Sequence, residues 1–267
     1  ILGGAWDEPG YMFLQSDTRS LFDRSPSNGF RCMNYLTNNK SPNKARDAVS
    51  VVSGIVDYSK LEPVSDEIFK AYTHLFSYDK TELNSVVEFW DESSSHWIKE
   101  KISFDAAYGN ERMFDYLFIP KNSAPPYQTV ILFPGALAFN LRSSAEGNEL
   151  HTWDAVDFII KSGRAVLYPI YKSYYERGDG FSIYDPDMTI NALRDHFVMW
   201  RKGVGKSIDY LESRTDIDHD KICFYGSSWG SIVGVCFLAV EKRFKTGIFR
   251  LAGLIDDSRQ YPELGGI

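Results

Sequence analysis

The sequence has 267 residues, 43% hydrophobic and 24% charged, which is enough apolar material for a globular core in one or two domains. A net charge of −7 gives a nucleic-acid partner no electrostatic support. The longest apolar run, around residues 232–240, is far shorter than the ~20 residues of a membrane helix, and no secretory leader is visible.

Residues 1–35 are rich in glycine and aromatics and have little helical period. They open on Ile1-Leu2-Gly3-Gly4-Ala5-Trp6, which reads as the inside of a domain, so the expectation is a piece of a longer protein. Residues 36–65 contain Asn38-Asn39-Lys40-Ser41-Pro42-Asn43 and a polar stretch ending near Pro63, and read as a linker. The expected catalytic-type domain is 66–267.

Within it, 66–76 is a short amphipathic helix carrying Ile68, Tyr72 and Leu75 at helical spacing. Three strands follow, 85–90, 97–105 and 112–120, separated by turn signals in 91–95 and at Gly109-Asn110. They form an antiparallel lead-in. The pattern then alternates: strand 129–133, helix 152–161, strand 164–168, helix 185–212, strand 221–225, helix 228–242 and strand 246–251. The long helix is the clearest element, with Ile190, Leu193, Phe197, Trp200, Val204, Ile208 and Leu211 stepping by three or four. Apolar strands alternating with helices imply a mostly parallel sheet covered on both faces, the α/β class.

One motif carries chemistry. Gly226-Ser227-Ser228-Trp229-Gly230 fits G-x-S-x-G, the turn on which a serine nucleophile is raised above a sheet. Small residues two before and two after the serine let the backbone pack tightly, and the helix that follows brings unsatisfied N–H groups to a developing oxyanion. By itself the motif is weak, arising by chance in roughly one chain in ten at this glycine and serine usage. Its context strengthens it, because it follows the apolar run Ile222-Cys223-Phe224-Tyr225 and opens a helix carrying Ile232, Val235, Cys236 and Ala239. The frame selects Ser228 as the catalytic residue and leaves Ser227 and Ser231 structural. Gly226 and Gly230 form the elbow.

Phe133-Pro134-Gly135-Ala136 ends the first parallel strand, where such a fold supplies one oxyanion N–H. The expected donors are Ala136 and Trp229, and the other reading of this loop is a plain Pro-Gly turn. Tyr171, Tyr174, Tyr175 and Trp229 are candidates for an aromatic pocket or, equally, for packing. The three cysteines, Cys32, Cys223 and Cys236, lack metal spacing and read as small buried hydrophobes in a reducing, cytoplasmic setting. No metal or organic cofactor is expected.

The triad order in this architecture is Ser, acid, His. The five histidines, His74, His96, His151, His196 and His219, all precede Ser228. His219 lies in an expected turn just ahead of the 221–225 strand, and His151 and His196 read as surface or packing residues. Asp256 and Asp257 follow the next strand, one strand early for the usual acid. The acid and histidine are therefore expected beyond residue 267, the alternative being a degenerate enzyme.

The residues carry two resemblances. Residues 66–262 resemble the dienelactone-hydrolase-like α/β-hydrolase domain at the C-terminus of some bacterial multidomain serine/threonine protein kinases. The resemblance rests on Tyr78-Asp79-Lys80-Thr81-Glu82-Leu83, Phe104-Asp105-Ala106-Ala107-Tyr108-Gly109, Pro125-Pro126-Tyr127-Gln128, Phe133-Pro134-Gly135, Tyr168-Pro169-Ile170-Tyr171-Lys172, Tyr175-Glu176-Arg177 and 226–230. A histidine often precedes the glycine of the oxyanion loop in such hydrolases, and Pro134 stands there instead. Residues 1–35 resemble the C-terminal tail of a formylglycine-generating-enzyme (sulfatase-modifying factor)-like domain, through Gly3-Gly4-Ala5-Trp6, Arg19 and Arg24-Ser25-Pro26-Ser27-Asn28-Gly29-Phe30-Arg31-Cys32. Together they imply an α/β-hydrolase fold, covalently linked upstream domains, and a serine hydrolase acting on a small-molecule ester. The alternative is a catalytically silent ligand-binding or regulatory module attached to a kinase. The sequence itself carries no H-R-D or D-F-G kinase motif.

Overall fold

A computed structural model describes residues 60–144, 152–185 and 187–251. The expectations for 1–35, for the linker up to residue 59, for His151 and for Asp256 and Asp257 lie outside these residues.

Helix α1 (Asp66–His74) starts where Ser65 accepts the Ile68 N–H on its side chain, with Asp66 and Glu67 in the first turn, where negative charge suits the helix dipole. Its apolar residues Ile68, Phe69, Tyr72 and Leu75 stay exposed.

Seven strands form one sheet: β1 (Val86–Asp91), β2 (Trp97–Asp105), β3 (Arg112–Pro120), β4 (Tyr127–Phe133), β5 (Ala165–Pro169), β6 (Ile217–Ser227) and β7 (Phe244–Arg250). Their order is β1-β2-β3-β5-β4-β6-β7. The first three are antiparallel and join β5 antiparallel, whereas β5, β4, β6 and β7 run parallel. Helices α2 (Thr152–Lys161), α3 (Ile190–Glu212) and α4 (Trp229–Val240) follow β4, β5 and β6. Every residue of β5 is buried, as is 129–133 in β4, which is how strands covered on both faces read. This is the expected mostly parallel sheet with an antiparallel lead-in.

Two boundaries differ from expectation by more than two residues. Helix α3 begins at Ile190, not 185, because Thr189 caps it by accepting the Ala192 N–H (3.2 Å), while Asp185 turns the preceding chain by accepting the Asp187 N–H (2.9 Å). Strand β6 begins at Ile217, so His219 lies in the strand and not in a turn before it. The β4–β6 pairing jumps from Tyr127↔Ile217 to Thr129↔Ile222, so the polar residues 218–221 arch out as a bulge inside the strand.

The core under the parallel strands is aromatic. Phe133 meets Tyr171, Tyr174, Trp200 and Phe237 at ring-centroid distances of 4.2–5.8 Å. Trp200 is fully buried, and its indole N–H donates to the Lys172 carbonyl (2.7 Å), fixing α3 to the loop after β5.

Candidate active site

The chain leaves β4 toward β5 on one side, and β6 takes the other side of β4. The connections from β4 and β6 thus diverge at their C-terminal ends. In an open α/β sheet that divergence opens a crevice, and the crevice is where ligands bind. The loops reaching it are the one after Phe133 and the one after Ser227.

Strand β6 ends at Ser227 and α4 begins at Trp229, so Ser228 alone makes the turn. Its backbone sits at φ 52°, ψ −114°, a region that a residue with a Cβ rarely occupies. Such a conformation costs about 1–3 kcal/mol and persists only when its surroundings over-determine it. Here they do. The Ser228 N–H donates to the Arg250 carbonyl at the end of β7 (2.7 Å), and the Ser228 carbonyl accepts the Ser231 N–H (2.8 Å). The Ser228 residue is exposed.

The flanking glycines are steric requirements. A Cβ on Gly226 would stand 2.3 Å from the Gly230 carbonyl oxygen, and one on Gly230 would stand 2.3 Å from the Phe133 carbonyl oxygen. Strand end, helix start and the β4 loop are in backbone contact, with no room for a side chain.

The loop after β4 lies beside the serine. A Cβ on Gly135 would be 3.6 Å from the Ser228 Cβ. Ala136 follows, buried at the start of a 3-10 turn spanning Ala136–Asn140. Trp229 is the first residue of α4, where N–H groups lack acceptors within the helix. Its half-buried ring packs edge-on to Phe197 and Trp200. The structure therefore brings Gly226, Ser228, Trp229, Gly230, Gly135 and Ala136 together at the crevice.

Farther along, the β4 loop is anchored at Ser144. Glu176 accepts both the Ser144 N–H (2.9 Å) and the Ser144 hydroxyl (2.8 Å), and Tyr116 pairs with the same hydroxyl (3.0 Å). The loop after β5 is the partner in that contact. Ser173 and Tyr175 hold positive φ there (71° and 52°). Tyr171, Tyr174 and Tyr175 are all buried, and the Tyr171 hydroxyl donates to the Leu132 carbonyl (2.8 Å) while Tyr175 pairs with Tyr168 (2.6 Å). These three tyrosines are packed into the core.

Among the described residues, no hydrogen bond joins a histidine to Ser228. His74 and His96 are exposed, and His96 sits with Lys121 at the end of β3 that points away from the crevice. His219 lies nine residues ahead of Ser228 on β6, which at ~3.3 Å per residue is up to about 30 Å. His196 has both ring nitrogens engaged, Nδ1 with the Ala192 carbonyl (2.6 Å) and Nε2 with Asp179 (3.1 Å), and its ring stacks on Phe181. Burial works to raise the Asp179 pKa, but the hydrogen bonds from His196 and the Phe181 N–H, with the nearby Ser173 hydroxyl, outweigh it and hold the carboxyl at about 2. A cavity of about 250 Å³ lies beside this pair, lined also by Asp185, Asp187 and Thr189 at the start of α3. Among the described residues, no cluster of three or more His, Cys, Asp or Glu could hold a metal ion, and no helix is long and apolar enough to cross a membrane.

The sequence marks Ser231 as structural without naming its partners, and nothing in it singles out Arg250. Their contacts join residues 19 apart in sequence, and no local pattern announces them.

The sheet order, the antiparallel lead-in and the turn at Ser228 define the α/β-hydrolase fold. Solved structures agree. The chain is similar to a putative acetyl xylan esterase from Bacteroides fragilis NCTC 9343 (TM-score 0.54, 14% identity, 68% of this chain and 51% of that one). It is also similar to acetyl xylan esterase 1 from Thermoanaerobacterium sp. JW/SL YS485 (0.53, 14%, 77% and 64%) and to an acetyl xylan esterase from Paenibacillus sp. R4 (0.52, 16%, 78% and 66%). The chain thus spans between about half and two thirds of these proteins. No family model and no curated protein matches it.

Proposed function

We propose that this chain carries the nucleophile half of a carboxylic-ester hydrolase, with Ser228 as the nucleophile. The observation that carries the reading is the backbone of Ser228, strained at φ 52°, ψ −114° between a strand and a helix, in a residue that stays exposed beside Gly135. A serine hydroxyl held this way attacks the ester carbonyl carbon. The carbonyl π electrons move onto oxygen, where the Ala136 and Trp229 N–H groups stabilise the charge. Collapse of the tetrahedral species expels the alcohol and leaves an acyl-serine, which water then hydrolyses.

The base that takes the serine proton is a histidine, oriented by an acid. No histidine follows Ser228 among these 267 residues, and we assign both groups to residues beyond 267. The surface around β7 supports that reading. Ile248 and Phe249 of β7 are exposed, as are Cys236 and Ala239 on α4, a helix that is apolar around most of its circumference. A helix of that kind is normally enclosed. The acetyl xylan esterases of the same fold support a small ester as the substrate class. No cofactor enters this chemistry. A kinase-linked setting, with a formylglycine-generating-enzyme-like module upstream, is the context the sequence resemblances suggest.

The test is a fluorophosphonate probe applied to this chain and to the product of the natural gene, with labelling mapped by mass spectrometry against Ser228→Ala. The expected result is labelling at Ser228 in the longer protein and little in the 267-residue chain. Loss of triad members typically removes a factor of about a million in turnover while leaving about a thousandfold over water. Folded protein that fails to label in both forms overturns the hydrolase reading and leaves a ligand-binding module.

A further inference from the structure

Resting on that reading of Ser228, we propose that Ser231 is a positioning residue, a hydroxyl clamp that joins the nucleophile turn to the end of β7 and holds Ser228 in its strained conformation. Ser231 lies one turn into α4 and is fully buried. Its Oγ stands 2.8 Å from the Gly226 carbonyl, 2.9 Å from the Arg250 carbonyl and 3.0 Å from the Arg250 N–H. A serine hydroxyl has one proton to give and two lone pairs to receive. It accepts the Arg250 N–H and donates to one of the two carbonyls.

The Arg250 carbonyl also accepts the Ser228 N–H, at 2.7 Å. One side chain therefore fixes the peptide before the turn, at Gly226, and the peptide whose carbonyl fixes the turn itself, at Arg250. Ser231 also ties back directly, its own N–H donating to the Ser228 carbonyl. Without the hydroxyl, the Arg250 N–H loses this contact, and whichever of the Gly226 and Arg250 carbonyls takes its proton loses a donor. The backbone of Ser228 then has fewer constraints against relaxing to an ordinary conformation. Relaxation moves the hydroxyl away from its attack position and turns the Trp229 N–H, a group that acts on the developing oxyanion and not on the bound ester. Displacements of about 1 Å in such positions cost rates of about a hundredfold.

The experiment uses the natural full-length protein and a p-nitrophenyl ester, with fluorophosphonate labelling of Ser228 timed in parallel. Ser231→Ala is expected to lower kcat and the labelling rate by about ten- to a hundredfold, with KM kept within about twofold. Ser231→Cys, which keeps the size but bonds weakly, is expected to fall between Ala and wild type. It decides the matter if the alanine variant does not fold. Ile208→Ala in α3 controls for stability loss alone and is expected to label at the wild-type rate while folded. Wild-type labelling rates in Ser231→Cys and in any folded Ser231→Ala overturn the clamp. So does a loss no greater than that of Ile208→Ala at equal stability, or a rise in KM at unchanged kcat. If the wild-type protein itself does not label at Ser228, it is the hydrolase reading that fails, and that outcome is separate from any behaviour of the variants.

Discussion

Replacing Asp115 with asparagine probes a carboxyl that the sheet buries without solvating. Asp115 lies in the middle of β3, opposite Ile102 of β2 and Pro169 of β5, and is 0% exposed. Neither of its carboxyl oxygens has a hydrogen-bond partner, and neither has the buried hydroxyl of Ser207 on α3. Burial pushes the Asp115 pKa from 3.8 up to about 7, against the smaller opposing influence of Ser207 and Arg177. Between pH ~4 and ~7 the folded protein therefore keeps a proton that the unfolded chain has released. The stability tied to that proton is fully present below pH ~4. It falls as pH rises and is gone above about 7. Each pH unit between the two values corresponds to about 1.4 kcal/mol, so the full span is on the order of 4 kcal/mol. About 3 kcal/mol of it falls between pH 5 and pH 8.5. Asparagine has the same shape and does not titrate. In urea titrations the stability of Asp115→Asn relative to wild type is expected to improve by about 3 kcal/mol from pH 5 to pH 8.5. Taking the difference between the two proteins cancels every other titrating group. A difference that stays constant to within about 0.5 kcal/mol over that range refutes the argument, because it means Asp115 ionises in the folded state as freely as in the unfolded one.

The elbow and the ion pairs offer two shorter tests. Gly230→Ala puts a Cβ 2.3 Å from one backbone carbonyl oxygen and 2.8 Å from another, so thermal melts followed by circular dichroism should show a loss of at least about 2 kcal/mol; an unchanged melt refutes the steric reading. Arg214→Met strands Glu100, which is 1% exposed and takes two hydrogen bonds from that guanidinium (2.6 and 3.2 Å), at a cost of about 3–5 kcal/mol in urea unfolding; the added change Glu100→Gln should recover part of it.

What the sequence discloses here depends on how local the physics is. Strands 97–105 and 112–120 and helix 152–161 follow from side-chain periodicity and appear at those residues. The G-x-S-x-G turn is legible because its glycines answer a short-range demand, backbone against backbone. Asp115 is half legible. The alternation Met113, Asp115, Leu117 already puts it on the buried side of β3, but only the packed structure shows that nothing meets its oxygens. The stretch 216–220 reads as a turn ahead of the strand, because a bulge within a strand has no alternation of its own and is defined by the partner strand. The Ser231–Arg250 contacts are not legible at all, since they form only when β7 lies beside β6.

That last dependence makes a prediction about motion. Ser228 follows β6 directly in sequence, but its N–H is bonded to Arg250, the final residue of β7. Strand β7 is the outermost strand of the described sheet on that side, and its residues Ile248 and Phe249 are exposed. Strand β6 is paired on both sides and holds the buried Ile222 and Phe224. Edge strands with exposed backbone open at lower free energy than central ones. The Ser228 amide should therefore exchange with solvent at the rate of the β7 amides near residue 250, faster than those of β6 around Phe224. Hydrogen exchange read by mass spectrometry or NMR distinguishes the two. If Ser228 is as protected as Phe224, the turn is held by β6 alone and β7 has no purchase on it. If it follows β7, then the strained geometry of the proposed nucleophile depends on how well that strand is held in place.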